Sequence, residues 1–407
     1  MIKGRNLISV LDIGSTKITC FIAKKHFSQD YEILGVAQIA SKGVRAGMII
    51  DLEAAKEAIV KVVEMAEDMA SETIKNVYVS LNSSFLISER NSVDLVLSNQ
   101  EINVKDMNKI LFKALEKYNR EEIEIVHTFP YEYILDGNRG IMQPLGLYGN
   151  KLTGIFHVIC VPVNYIVNIA KCLERCKLRI EGYISSGYAT GLNCLKSDEM
   201  EFGCALIEIG GGSATVSVFF NDNIIFTDGI PYGGIHITKD IAKVLSLDTG
   251  TAEKIKNTHG SAIENGGIIE HIIKIEDGTE QEEECLINKS ELAAIISARM
   301  NEITTLLKDK LQDNDMMELV NKVVISGGCS QLFGIRELIG RVFKTKTRIG
   351  LPLNQESIPQ EYLRAKFCTP IGMLKYVSNA KEYNYKNLLE DKPGMLKRTW
   401  KWLKENF

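Results

Sequence analysis

The sequence predicts an α/β protein made of two similar halves. Three observations carry that prediction. A strand–turn–strand motif occurs twice. Helical and strand patterns alternate around both copies. A further buried strand ends in Ser326-Gly327-Gly328. The first copy is Val10-Leu11-Asp12-Ile13-Gly14-Ser15-Thr16, followed by the apolar return strand 18–22. The second, 196 residues later, is Leu206-Ile207-Glu208-Ile209-Gly210-Gly211-Gly212-Ser213, with its return strand at 215–219. Each is a buried strand ending in an acid, a Gly/Ser/Thr turn and a strand back.

The remaining elements follow in chain order. Residues 52–69 form an amphipathic helix with Ile59, Val62, Val63 and Ala66 on its apolar side. Short buried strands are expected at 77–81 and 158–161, and a helix at 167–176. A helix carries Glu253 and Lys256 on one face. A long helix spans 290–311, and a strand at 322–325 leads through Gly327 and Gly328 directly into a helix. Residues 280–284 are an acidic surface loop or hairpin turn. Residues 379–392 are polar and weakly patterned, as in a flexible tether.

The last fifteen residues, 393–407, read as a helix lying on a membrane surface. At 100° per residue Leu396, Trp400, Leu403 and Phe407 share one stripe, with Lys397, Arg398, Lys401 and Lys404 on the flank and back. Pro393 suits a first turn, where a missing N–H costs nothing. The segment is far too short to span a bilayer. The alternative is that Trp400 and Phe407 dock the helix on its own body.

Composition fits this division. The chain has 407 residues, 45% hydrophobic and 25% charged, with a formal net charge of −4. The tail carries +3 of net charge and the body before it −7. An acidic body with a basic tip argues against nucleic acid as a partner and for an anionic surface met at the tip. The nine cysteines include no CxxC pair, and Cys172 and Cys176 are spaced for a helix face, so reduced thiols are expected. No signal peptide is read at the N-terminus, because the apolar run at 8–13 is short and contains Asp12. No apolar run is long enough for a transmembrane helix.

A glycine turn between strands aims several backbone N–H groups at one point, which makes a phosphate cradle. An acid at the strand end repels phosphate but holds Mg²⁺, usually through water, and the metal bridges to phosphate oxygens. One such turn is ordinary hairpin chemistry. Two in matching context clamp a polyphosphate between lobes. They also give Asp12 and Glu208, charges at the ends of apolar strands, a reason to be there.

At this point the chain resembles the FtsA family of bacterial cell-division proteins, within the actin-like ATPase superfamily. The resemblance runs nearly end to end. It rests on Leu11-Asp12-Ile13-Gly14-Ser15-Thr16-Lys17, Ile209-Gly210-Gly211-Gly212-Ser213, Ile230-Pro231-Tyr232-Gly233-Gly234, Ile325-Ser326-Gly327-Gly328, Arg348-Ile349-Gly350-Leu351-Pro352-Leu353 and the amphipathic tail. It implies an actin-like two-lobed fold of two ribonuclease-H-like halves around an ATP cleft. The implied division is 1–83 with 163–185 for the first lobe core and 84–162 for a subdomain inserted in this family. Residues 186–231 with 320–378 make the second lobe core, and 232–319 its outer subdomain. Asp12 then matches the Mg²⁺-associated acid. Gly14, Ser15, Thr16 and Lys17 match phosphate contacts, as do Gly210, Gly211, Gly212 and Ser213 opposite. Gly233 and Gly234 belong to the same nucleotide site. Glu253 and Lys256 match ribose and adenine contacts, and Gly327 and Gly328 the adenosine turn. Arg299 and Glu302 match contacts for the FtsZ C-terminal peptide. The family polymerises head to tail, tethers FtsZ filaments to the cytoplasmic face of the inner membrane at the division site, and recruits later division proteins.

Two departures bear on catalysis. The second turn usually begins with Asp, and here it is Glu208, one methylene longer. Many relatives also place a Glu or Gln near the next crossover to position water, whereas Ile184-Ser185-Ser186-Gly187-Tyr188-Ala189 holds neither. Water-positioning help contributes roughly 10²–10⁴-fold in rate, so slow hydrolysis or none is expected. The competing readings are an actin-fold kinase or chaperone, and the pilus-assembly scaffold of similar body. A kinase needs a second carboxylate pocket and a chaperone a long domain after residue 375; neither is evident. The pilus scaffold generally lacks the basic tail.

Overall fold

The computed structural model describes residues 7–26, 31–264, 272–275, 285–353 and 358–379. Its two central sheets repeat one topology. In the first, the strands run Arg179–Ser185, Asn76–Leu81, Leu7–Ile13, Lys17–Lys25, Tyr31–Ala40. In the second they run Thr347–Ile349, Lys322–Ser326, Cys204–Ile209, Ala214–Phe220, Asn223–Ile230. Each is a three-stranded antiparallel meander extended by two parallel strands. The predicted repeat is thus a repeat of whole half-folds, not of hairpins alone. Register agrees: Asp12 faces Thr19 and Glu208 faces Thr215 across the first hairpin of each sheet.

One core fills the first half and runs on to Leu206, Phe219, Ile224 and Val324 of the second sheet; the other lies within the second half. Helix Leu52–Ala70 buries Ala55, Ala58, Ile59, Val62, Val63 and Ala66 in the first core. Asp51 caps it, accepting from Ala54 N at 3.1 Å. In the second core helix Lys289–Gln312 buries Leu292, Ile296, Met300, Ile303, Leu307 and Leu311, which recur at helical spacing. A third, all-antiparallel sheet orders Ile87–Glu101, Tyr148–Pro162, Ile123–Leu135 and Asn138–Ile141, with helix Val104–Glu116 over Phe156 and Leu152. The sequence located only 158–161 of the second of these strands. Val158 to Val161 are all fully buried, whereas residues 148–157 alternate in exposure and leave no apolar run.

The third sheet also meets the second lobe. His157 Nδ1–H donates to Ile224 O at 2.8 Å, and Thr227 N–H donates to Ser88 Oγ at 3.1 Å. Ser88 Oγ and His157 Nε2 lie 2.8 Å apart. With Nδ1 donating, Nε2 accepts, so the Ser88 proton points at the ring. One hydroxyl and one neutral imidazole therefore satisfy the outer edge of strand Asn223–Ile230. Burial holds the His157 pKa down to about 4, so the clamp keeps this protonation at neutral pH. Ser88→Ala leaves a buried N–H and a ring nitrogen unpaired. The expected loss is about 1–3 kcal/mol of unfolding free energy in urea titration; a change below about 0.5 kcal/mol shows that the clamp contributes nothing.

Two expectations are corrected. Gly327-Gly328 does not open an α-helix. Gly327, at φ 86°, leads into a 3₁₀ turn over Gly328–Gln331, and helix Ile335–Phe343 starts only after Gly334, at φ 75°. Two left-handed glycines punctuate the segment, so one continuous helix is not possible there. Second, residues 358–378 do not belong wholly to the second lobe. Ile358, Phe367, Ile371, Met373, Leu374 and Val377 are buried with Ile8, Val10, Phe21 and Ala23 of the first sheet. The tether and tail, 380–407, lie outside the described residues, as does the acidic stretch 280–284.

Candidate functional site

The two glycine turns close with the same bond. Gly14 N donates to Lys17 O at 3.0 Å, and Gly210 N to Ser213 O at 2.9 Å. Among the described residues the N–H groups of Ser15, Thr16, Gly211 and Gly212 donate no hydrogen bond within the protein. The turns also touch. A Cβ built on Gly211 would lie 2.2 Å from Thr16 Cγ2, and one on Gly212 2.2 Å from Ser15 Oγ. Asn82 Nδ2 donates to Ser213 Oγ at 2.5 Å, tying a first-lobe strand end to the second turn. The two turns, each with unused donors, thus meet where any β-carbon would hold them apart.

The acid of each turn is partly buried. Ser80 Oγ donates to Asp12 Oδ1 at 2.6 Å. Burial raises the Asp12 pKa, which Ser80 only partly offsets. Glu208 is pushed up to about 7, first by burial and then by the charge of Asp12, while Thr369 and Thr190 pull the other way. The charge of Asp12 hinders the ionisation of Glu208, which a nearby cation would favour. Among the described residues no group of three or more His, Cys, Asp or Glu side chains forms a metal cage. One or two carboxylates plus phosphate oxygens are the usual holding set for Mg²⁺, so the arrangement fits that ion rather than a cage metal.

A second cluster forms beside the Gly210 turn. Gly234 N donates to Gly210 O at 2.9 Å and Ile235 N to Gly211 O at 2.8 Å. Lys256 is buried, and its Nζ donates to Gly234 O at 3.1 Å, Thr238 Oγ1 at 2.8 Å and Glu253 Oε2 at 2.5 Å. The expected pairing of Glu253 with Lys256 is present, but not as a solvated ion pair. All three ammonium protons are used, so Lys256 braces helix Thr249–His259 against helix Gly234–Val244. Of the pair, the half-exposed Glu253 side chain is the part left open to a ligand. Cys329 Sγ reaches Gly210 O at 3.6 Å, and Gly327 runs against the Ile209 carbonyl, where its Cβ would come to 2.5 Å. A Cβ on Gly328 would meet nothing within 4 Å, so that backbone is an open, flat floor. Gly210, Gly233, Gly234, Glu253, Lys256, Gly327 and Gly328 are therefore brought to one place.

Lys17 is exposed at the end of the first turn, and its charge depresses the pKa of Lys366 behind the larger effect of burial. Lys366 Nζ donates to Gln38 Oε1 at 3.1 Å, joining the returning segment to the first sheet. Lys366 escaped the sequence reading, as did Ser80, Asn82, Thr190, Thr238 and Thr369. Each is a single polar residue without a local motif; only the tertiary fold brings it to the site.

Arg299 and Glu302 do not join this site. Arg299 grips Asp240 with Nε at 2.5 Å and Nη2 at 3.0 Å, and its Nη1 reaches Glu302 at 2.5 Å. The sequence anticipated the pair but not Asp240, which lies on the neighbouring helix.

Comparison with known proteins agrees with this architecture. Residues 205–372 match the family model described as cell division protein FtsA, and residues 84–160 match the SHS2 domain inserted in FtsA. The cell division protein FtsA of Agrobacterium fabrum (strain C58) is 35% identical, with 100% of this chain and 96% of that protein covered. FtsA of Escherichia coli (strain K12) is 29% identical, with 100% of each covered. Among solved structures, the PilM–PilN type IV pilus biogenesis complex gives a TM-score of 0.63 at 14% identity, covering 91% of this chain and 98% of that one. MreB5 of Spiroplasma citri bound to ADP gives 0.55 at 13% identity, covering 93% and 99%. The fold is actin-like, with an SHS2 subdomain inserted.

Proposed function

Because the chain belongs to the FtsA family of cell-division proteins, we propose that it is an ATP-binding, self-polymerising adaptor that anchors FtsZ filaments to the inner membrane and recruits later division proteins. The observation that carries the nucleotide half is the contact between two glycine turns whose donors are unused by the protein. Ser15, Thr16, Gly211 and Gly212 would hold the phosphates, with Lys17 and Ser213 at the flanks. Asp12 would hold Mg²⁺ through water. The metal, when bound, supplies positive charge between the two carboxylates. Glu253, braced by Lys256, and the Gly327-Gly328 floor would receive ribose and base. Equilibrium binding of a fluorescent ATP analogue, with and without Mg²⁺, tests this; no saturable binding refutes it.

Hydrolysis is expected to be feeble. Glu208 is engaged by two threonines, and helix Ser186–Cys194 carries no acid. Single-turnover assay of bound ATP should show it surviving for many minutes. Turnover in the ordinary enzyme range of about 1–10³ s⁻¹ would place a catalytic group that this reading lacks.

Arg299 and Glu302 are the proposed contact for the FtsZ C-terminal peptide. Arg299 already has two carboxylate partners, so an incoming acidic group must share or displace them. A single exposed pair of this kind contributes about 0.2–1 kcal/mol, but reversal adds repulsion. Arg299→Glu is expected to weaken peptide binding about tenfold while ATP affinity stays within twofold. Unchanged peptide affinity by fluorescence anisotropy moves the site elsewhere.

A further inference from the structure

Two helices carry the chain between the lobes. Ser186–Cys194 follows strand Arg179–Ser185 of the first sheet and leads toward Cys204–Ile209 of the second. Cys368–Ser378 comes back from Thr347–Ile349 of the second sheet and packs on Leu7–Ile13 and Lys17–Lys25 of the first. The helices cross in close contact. A Cβ on Gly372 would lie 1.8 Å from the Ala189 carbonyl oxygen. Asn193 Nδ2 donates to Cys368 O at 3.2 Å, and Lys375 Nζ to Leu192 O at 2.8 Å. Both helices flank the passage of the described chain between the lobes and meet in this joint.

Glu208 reaches into it. Thr369 Oγ1 donates to Oε1 at 2.8 Å, Thr190 Oγ1 to Oε2 at 3.3 Å, and the two hydroxyls are 2.8 Å apart. One threonine comes from each crossing helix, and both are buried. The carboxylate itself sits at the strand end two residues before Gly210. We infer that Thr190 and Thr369 are positioning residues that make Glu208 a tie between the second glycine turn and both crossing helices, so that occupancy of the turns is transmitted to the joint. The longer side chain of glutamate gives the reach. An aspartate there would withdraw the carboxylate toward the cleft and let the threonines go. The tie itself stands without any ligand; its transmission role rests on the nucleotide reading above.

Hydrogen exchange of the full chain tests both parts. Without nucleotide, Thr369→Val, Thr190→Val and Glu208→Asp should each speed amide exchange in both helices. Loss of a buried hydrogen bond is enough for an effect of about tenfold. Thr369→Ser and Thr190→Ser keep the hydroxyl and should exchange like the parent chain. The Thr369→Val, Glu208→Gln double variant should loosen the joint no more than the stronger single change. Should a valine variant fail to fold, Glu208→Asp, which keeps the charge, still decides. Effects confined to the helix bearing the substitution, or effects that simply multiply in the double variant, overturn the tie. With Mg²⁺ and AMP-PNP, exchange in both helices of the parent should slow, and Glu208→Asp should abolish the slowing. Equal slowing in that variant overturns the transmission role. Failure of AMP-PNP to bind the parent chain refutes the nucleotide reading and with it the transmission role, while the nucleotide-free comparison still judges the tie.

Discussion

Gly211→Val is expected to abolish Mg-ATP binding. The first atom of the new side chain would sit 2.2 Å from Thr16 Cγ2 and 2.6 Å from Thr16 Oγ1. Thr16 belongs to the opposite turn, so relief has to come from moving one turn away from the other. A displacement of about 1 Å at a site that depends on converging donors costs on the order of 10²-fold. Valine adds two methyl groups beyond that first atom and restricts the turn further. The fold should survive, because Gly211 lies in a half-buried turn between strands and outside the apolar cores. A parent-like urea midpoint with affinity reduced at least about 100-fold is the expected pair of results. Asp12→Ala should reach the same end differently, by removing the carboxylate proposed to hold Mg²⁺. If both variants keep affinity within threefold of the parent, the two turns do not share one ligand.

The contact that makes this prediction sharp was legible in outline. An acid, a glycine-rich turn and two apolar strands form a local pattern, and its recurrence exposed the duplicated architecture. The contact itself was not legible, because Gly211 and Thr16 are far apart in sequence. The same boundary separates other residues. Glu253 and Lys256 share a helix face and were found; Thr238, which completes the buried lysine's hydrogen bonds, sits on another helix and was not. Thr369 gave no signal, since a lone threonine near a helix start is ordinary capping chemistry until the helix is seen to return beneath Glu208. The segment 148–157 hid because one face of its sheet is exposed and its hydrophobic pattern is diluted. Gly327 and Gly328 read from sequence as the entry to one helix, whereas the left-handed glycines are 327 and 334, because glycine announces conformational freedom without saying which turn uses it. The inserted subdomain was placed by resemblance; its alternating strands are independent of the repeat that organises the rest.

Trp400→Glu is expected to release the protein from membranes while leaving ATP binding intact. The reason lies in the sequence of 393–407. Lys397, Arg398, Lys401 and Lys404 would each contribute about 1 kcal/mol near an anionic surface, partly offset by Glu405. Leu396, Trp400, Leu403 and Phe407 contribute at most about 1.5–3 kcal/mol each if fully buried, and interfacial burial is partial. Fifteen residues are barely helical alone in water, so folding on the surface consumes part of the gain. One tail would therefore bind modestly and reversibly. The proposed polymer would present many tails, and after the first had bound, the others would meet the surface at high effective concentration. Glutamate at position 400 removes the largest apolar side chain from the stripe and puts a negative charge against an anionic surface. The loss should be visible even in the polymer, where each tail repeats it. Sedimentation with anionic vesicles at moderate salt, under polymerising conditions, is the decisive assay. Docking of the helix on its own body predicts no change in co-sedimentation, because the tail would then not be the anchor; it would also leave four basic residues on the exposed side without a use. Undiminished co-sedimentation of the variant would show that the attachment lies elsewhere.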